Sequence, residues 1–170
     1  MGCNKMTEKL TEKVVVDIVI DYMVNKKNGN WHREKVKKSE LHAHGVDIKL
    51  VGGKRNSEYF YIECKGKSYA KSADSQNRET SWAKALAQII TRMSVKRYTV
   101  SKDGTISGIN RAYKYGLGLY WESAQVALRR IPKEVAIVLN LHIFAVNDEG
   151  NVRYFTPSTF GKSYDKTIFD

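Results

Sequence analysis

Apolar side chains recur every four residues at Met6, Leu10, Val14, Ile18 and Tyr22, with Val15 and Val19 beside them, a spacing that gathers them on one helical face. The pattern predicts a long amphipathic helix over residues 7–25. After the break at Asn28-Gly29-Asn30, residues 31–41 alternate charge with scattered apolar positions and suit an edge strand. From Gly45 the period changes to two. Val46, Ile48 and Leu50 alternate with Asp47, Lys49 and Val51, and residues 59–65 alternate again after the turn-forming run Gly52-Gly53-Lys54-Arg55-Asn56-Ser57. These segments are the arms of a β-hairpin. With a turn of about five residues, Gly52 faces Glu58, Asp47 falls opposite Glu63 and the two carboxylates share a face. Phe60, Ile62 and Cys64 take the other face, where a buried thiol is an ordinary core filler.

Residues 69–80 are polar and rich in Ser and Asn, which predicts a mobile loop. A helix over residues 81–95 follows, with Thr80 or Ser81 as its N-cap. Its phase points Leu86, Ile90 and Met93 at the core and places Ser81, Lys84, Gln88 and Arg92 on an opposite, basic side. Residues 102–108 read as a turn or hairpin tip, and residues 115–120 as a buried strand whose Gly116 and Gly118 let neighbours approach. A helix over residues 122–130 comes next. Pro132 suits the first turn of another helix ending near Asn140, and strands at residues 141–146 and 152–155 flank the turn at 148–151. The order α, β, β, α, β, α, α, β, β predicts an α/β fold, a central mixed sheet flanked by helices.

A chain of 170 residues, 42% of them hydrophobic, holds one sizeable core, so residues 1–170 are expected to form a single domain. The 29 Lys and Arg outnumber the 18 Asp and Glu and give a net charge of +11, which favours a polyanionic partner, nucleic acid first. Solubility alone is the competing explanation of that charge. Cys3 and Cys64 have no CxxC spacing and make no disulfide framework, which suits a reducing cytoplasm. The charged start, and the interruption of the apolar run at residues 14–20 by Asp17, give no expectation of a signal peptide or a membrane span. Met6 stands where a myristoylation site has Ser or Thr.

Charge becomes chemistry at the hairpin. Two carboxylates on one face repel unless a proton or cation lies between them, so Asp47 and Glu63 suit a hard, oxygen-seeking ion, Mg²⁺ or its substitute Mn²⁺. Lys65, two residues past Glu63, shares their face, where its ammonium can orient or help deprotonate a water and stabilise charge on a phosphate. Lys67, Lys71, Lys84 and Arg92, with Lys35, Lys37, Lys38, Lys49 and Arg78, surround the hairpin, loop and helix as candidate phosphate contacts, against the alternative of a solvated face. His42 and His44 point the same way on a strand but lack a third ligand nearby, so solvent or phosphate contact ranks ahead of a metal pair. Arg129 and Arg130 close a helix in the manner its dipole favours, and Trp82 is the aromatic best placed for surface contact.

The runs Gly45-Val46-Asp47-Ile48-Lys49 and Tyr61-Ile62-Glu63-Cys64-Lys65-Gly66-Lys67 resemble the PD-(D/E)xK, or restriction-endonuclease-like, nuclease superfamily, which carries an acid on one strand and E-x-K on the next. Residues 81–93 resemble the helix that follows the E-x-K strand in many members, where a Gln faces the site. The likeness covers residues 12–93 well and 115–146 in outline, with Val46 standing in place of the pattern's proline. It implies a restriction-endonuclease-like fold in which Asp47, Glu63 and the Cys64 backbone carbonyl bind Mg²⁺, Lys65 serves the attacking water and Gln88 lies at the site's edge. A further acid is common on the first helix of such proteins, and Glu12 ranks ahead of Glu8 for it. The expected activity is a cytoplasmic, Mg²⁺-dependent endonuclease acting on DNA ahead of RNA, with a homodimer suited to cutting two strands. A non-catalytic nucleic-acid-binding module of the same fold and an RNA-processing endonuclease are the alternatives.

Overall fold

The computed structural model describes residues 9–26, 31–33, 46–53, 56–69, 74–93, 98–100, 102–104, 106–109 and 112–169. Helix α1 (Glu12–Asp21) begins at Thr11, whose hydroxyl accepts a hydrogen bond from the Val14 N–H. It runs on into a π-helical turn, Tyr22–Lys26. Of the expected face, Val15 and Val19 are buried, joined by Met23, while Val14, Ile18 and Tyr22 are half-buried, so the stripe centres toward the Val15 side. Leu10 is buried too, but it precedes the helix, so counting in fours from it misplaces the stripe. Met6, the other end of that expected stripe, lies outside the described residues.

Strands β1 (Trp31–Arg33), β2 (Ile48–Gly52) and β3 (Glu58–Lys65) form an antiparallel meander with β1 on the sheet edge; the rest of the segment expected to hold an edge strand, residues 34–41, lies outside the described residues. Helix α2 (Asp74–Thr91) and a separate hairpin of β4 (Tyr98–Val100) and β5 (Ile106–Ile109) lead to β6 (Tyr113–Tyr120), which pairs with β3 in parallel. Helices α3 (Trp121–Arg130) and α4 (Lys133–Leu139) then cross over to β7 (Leu141–Val146), parallel to β6, and β8 (Val152–Phe155) closes the far edge antiparallel to β7. The result is an α/β architecture with a six-stranded mixed sheet and, among the described residues, four α-helices. None of these helices is long and apolar enough to cross a membrane.

The sheet separates two apolar clusters. On one face Val15 and Val19 of α1, with Leu10 before it, pack against Phe60, Ile62 and Cys64 of β3, and on the other α2 and α3 pack Ala85, Ile89, Ala124 and Leu128 against Tyr115, Leu117 and Leu119 of β6. Side chains alternate along each strand, so β3 can present a continuous apolar row to α1 and a polar row to α2. Close strand packing depends on Gly118, where an added Cβ would stand 2.6 Å from the Cys64 sulfur.

Helix α2 departs most from expectation. It starts at Asp74 rather than near Ser81, so the polar residues 74–80 extend the helix and Ser81 is a buried mid-helix residue, not a cap. Ser and Asn content favours a loop only when nothing else anchors the segment. Here Ala85 and Ile89 dock on the sheet, and Glu79 pairs with Arg130 of α3 at 2.7 Å. The inward face is Ser81, Ala85 and Ile89 with Leu86 and Gln88 half-buried, while Ile90 is 46% exposed, a rotation of about one residue from the apolar count. The later elements follow the sequence closely: Pro132 caps α4 at its start and Asn140, with φ 46°, ends it in the left-handed region.

Candidate active site

The hairpin register is the expected one, with Gly52 opposite Glu58 and Ile48 opposite Ile62. Asp47 occupies the bend just before β2, and its Oδ2 accepts a hydrogen bond from the Cys64 N–H at 2.7 Å. That bond ties Asp47 to the β3 backbone immediately beside Glu63. The Glu63 side chain is only 2% exposed, and both of its oxygens meet cations: Lys65 Nζ is 3.4 Å from Oε1, and the Arg92 guanidinium donates to Oε2. Lys65 also donates to Glu12 Oε2 at 3.2 Å. Asp47, Glu63, Lys65 and Glu12 are thus brought together at the carboxyl end of β3.

Gly66 makes this meeting possible. A Cβ there would fall 2.3 Å from the Glu12 nitrogen and the Thr11 carbonyl carbon, so only glycine lets the start of α1 rest on the end of β3. The Lys67 N–H donates to the Leu10 carbonyl at 2.7 Å, and the Leu10 N–H donates to the Tyr69 hydroxyl at 2.7 Å, clasping the two segments. Sequence reasoning passed over Gly66. Its signal was a glycine directly after the E-x-K run.

Burial, then the nearby Asp47 charge, raises the Glu63 carboxyl pKa, and Arg92 and Lys65 oppose that rise in part. For Lys65, burial pulls the ammonium pKa down, but the Glu12 hydrogen bond and the charges of Glu12, Glu63 and Asp47 outweigh it and the net shift is upward. Lys65 is therefore held as a cation that donates hydrogen bonds rather than as a proton acceptor. Burial pushes the Cys64 thiol well above its ordinary value, which leaves it protonated and inert among Val19, Ile62 and Gly118.

Gln88 lies one helical turn before Arg92, half-buried, with its Oε1 buried and without a hydrogen-bond partner among the described residues. Arg92 itself is turned inward onto Glu63 instead of lying on an outer basic face. Lys67 is engaged by Glu122 at 3.5 Å and by Asp148, with the Tyr120 ring 5.9 Å away, so it forms a second charged cluster at the ends of β6 and β7. Lys84 and Arg78 are exposed on α2, and Trp82 is half-buried against the core. Lys71, Lys35, Lys37, Lys38, His42, His44 and Glu8 lie outside the described residues.

The donor set of Asp47, Glu63 and the Cys64 carbonyl is all oxygen, which fits Mg²⁺ or Mn²⁺ rather than a softer ion. Among the described residues no group of three or more His, Cys, Asp or Glu side chains is arranged to hold an ion. That is compatible with Mg²⁺, which commonly binds through one or two carboxylates and completes its shell with water and phosphate oxygens. Comparison with known proteins returns no matching family model, no matching curated protein and no matching solved structure.

Proposed function

We propose that the chain is a metal-dependent nuclease that hydrolyses phosphodiester bonds, in DNA ahead of RNA, on a restriction-endonuclease-like version of the mixed α/β fold. The observation that carries this reading is the convergence of Asp47, Glu63 and Glu12, from three separate segments, around Lys65 at the carboxyl end of β3. Ligand sites of sheets with parallel strands fall at that end. Asp47, Glu63 and the Cys64 carbonyl are the residues that would hold Mg²⁺ or Mn²⁺, which when bound supplies an activated water and neutralises phosphate charge. Lys65 donates to the attacking water or to a phosphate oxygen, and its bonds to Glu12 and Glu63 hold it in place beforehand. Glu12 is a positioning residue for Lys65. The unpartnered Gln88 oxygen supports a place for it at the site's edge, accepting from water or substrate. A net charge of +11 suits a nucleic-acid partner, an unpaired buried Cys64 suits the reducing cytoplasm, and a homodimer would place two such sites on two strands.

Incubation with supercoiled plasmid, single-stranded DNA and an RNA of the same sequence, each with Mg²⁺ or Mn²⁺, tests the reading. Divalent-ion-dependent breakage is expected, lost in Asp47→Asn and Lys65→Met variants whose circular dichroism matches the wild type. Cleavage that persists in both variants, or no cleavage of any substrate by the wild type, sinks it.

One observation favours a second reading, a nucleic-acid-binding module without turnover: both oxygens of Glu63 are taken by Lys65 and Arg92. Salt-sensitive binding of an unchanged duplex would support that module. Breakage confined to the RNA would identify an RNA-processing endonuclease.

A further inference from the structure

Arg92 follows directly on α2, and its guanidinium reaches Oε2 of the buried Glu63 carboxylate while Lys65 meets Oε1. The charges around the site are nearly balanced: Asp47, Glu63 and Glu12 stand against Lys65 and Arg92. A divalent ion arriving on Asp47 and Glu63 adds two positive charges and needs a Glu63 oxygen, and the cations occupy both. Two cations and a dication cannot share one desolvated carboxylate pair, so one cation has to leave. Lys65 has a second anchor in Glu12, whereas the ion pair of Arg92 among the described residues is the one with Glu63. Arg92 is also the more exposed of the two side chains, 22% against 17%, and carries the planar fork that grips a phosphate through two parallel hydrogen bonds.

We propose that Arg92 is an exchangeable counter-ion: it holds Glu63 in the ion-free protein, yields Glu63 to a divalent ion, and carries its guanidinium to a backbone phosphate of the nucleic acid. This rests on the metal-dependent reading of the site and gives it a consequence that reading alone lacks. Ion and nucleic acid become coupled ligands, because each makes Arg92's departure from Glu63 easier for the other, and the coupling is reciprocal. The protein alone then binds the ion weakly, and the duplex is what opens the site.

The test is Mn²⁺ binding, followed by the electron paramagnetic resonance of the free ion, with and without a duplex oligonucleotide. In the wild type, the duplex tightens Mn²⁺ binding. Arg92→Met, lacking the competing cation, binds Mn²⁺ without duplex more tightly than the wild type by roughly tenfold, within the usual span of such couplings, and gains little more from the duplex. Asp47→Asn binds no Mn²⁺ alone and, with the duplex, none beyond what the duplex binds by itself. Equal Mn²⁺ affinity in the wild type and Arg92→Met, with binding lost in Asp47→Asn, overturns the counter-ion while the metal site stands. Binding in none of the proteins overturns both. If Arg92→Met does not fold, the wild type and Arg92→Lys carry the test: the duplex must tighten Mn²⁺ less in Arg92→Lys, which keeps the charge without the fork, and equal tightening overturns the proposal.

Discussion

Lys65 ends β3 and Lys67 follows two residues later, and each bridges two carboxylates, yet their surroundings differ in kind. The lysines themselves are almost equally covered, at 17% and 19% side-chain exposure. One acid sets them apart: Glu12 and Asp148 are similarly exposed, at 52% and 57%, but Glu63 is 2% exposed where Glu122 is 27%. A carboxylate in water loses little when its partner goes, because solvent replaces it. A buried carboxylate has no such substitute, so its cations are held in a fixed arrangement that a metal ion or phosphate can exploit. Each lysine makes two ion pairs, so the lysines' own pairs do not tell the clusters apart. Burial of the acid is what makes one of them a candidate centre and the other a surface clasp.

The largest effect expected from this contrast is on turnover. Lys65→Met should lower divalent-ion-dependent cleavage by about 10²–10⁴-fold, the usual weight of a positioned proton-transfer or charge-stabilising group, while Lys67→Met should act only through a modest loss of nucleic-acid affinity. Single-turnover rates at saturating substrate separate the two, and equal losses would erase the distinction drawn between the clusters.

Next in size is the packing that brings α1 to the buried site. Gly66→Ala puts a methyl group against the backbone of Thr11 and Glu12, and should cost roughly 2–4 kcal/mol in urea unfolding, in the range of severe steric substitutions. A midpoint unchanged from the wild type would show that α1 can shift without loss.

The third prediction concerns pH. Burial and the Asp47 charge raise the Glu63 carboxyl pKa above its ordinary 4.5, so the folded protein keeps a proton that the unfolded chain has released. The stability linked to that proton is complete below the ordinary value and drains as pH rises through the raised one. Glu63→Gln, uncharged throughout, should flatten this part of the stability profile measured by denaturant unfolding between about pH 4 and 8. A wild-type slope that survives in the variant would assign the effect to another group. The smallest effect belongs to the exposed cluster: Asp148→Asn should change stability by less than about 1 kcal/mol, and a larger loss in the same unfolding assay would mean that the Lys67 clasp is more than a surface pair.

Legibility followed the range of the interactions. The β2–β3 register could be read because alternation and turn residues lie within twenty residues of one another, and β7 and β8 were equally clear around the turn at residues 148–151. The phase of α2 differs by about one position from its apolar count, since helical apolar counts tolerate either of two adjacent faces until a sheet is present to choose between them. That one position matters at the site. It moved Arg92 from an outward phosphate contact to the partner of Glu63 and turned Gln88 partly inward.

The sequence by itself determined the β2–β3 register that brings Asp47 to the end of β3 beside Glu63 and Lys65, because a two-residue period and a short turn are properties of neighbouring residues. Only the tertiary structure decided which groups would close around them. Glu12 reaches Lys65 across 53 residues and Arg92 reaches Glu63 across 29, and both arrivals depend on where α1 and α2 settle on opposite faces of the sheet. Such placement is fixed by packing of whole elements, through contacts such as Gly66 against the start of α1, and no local pattern encodes it.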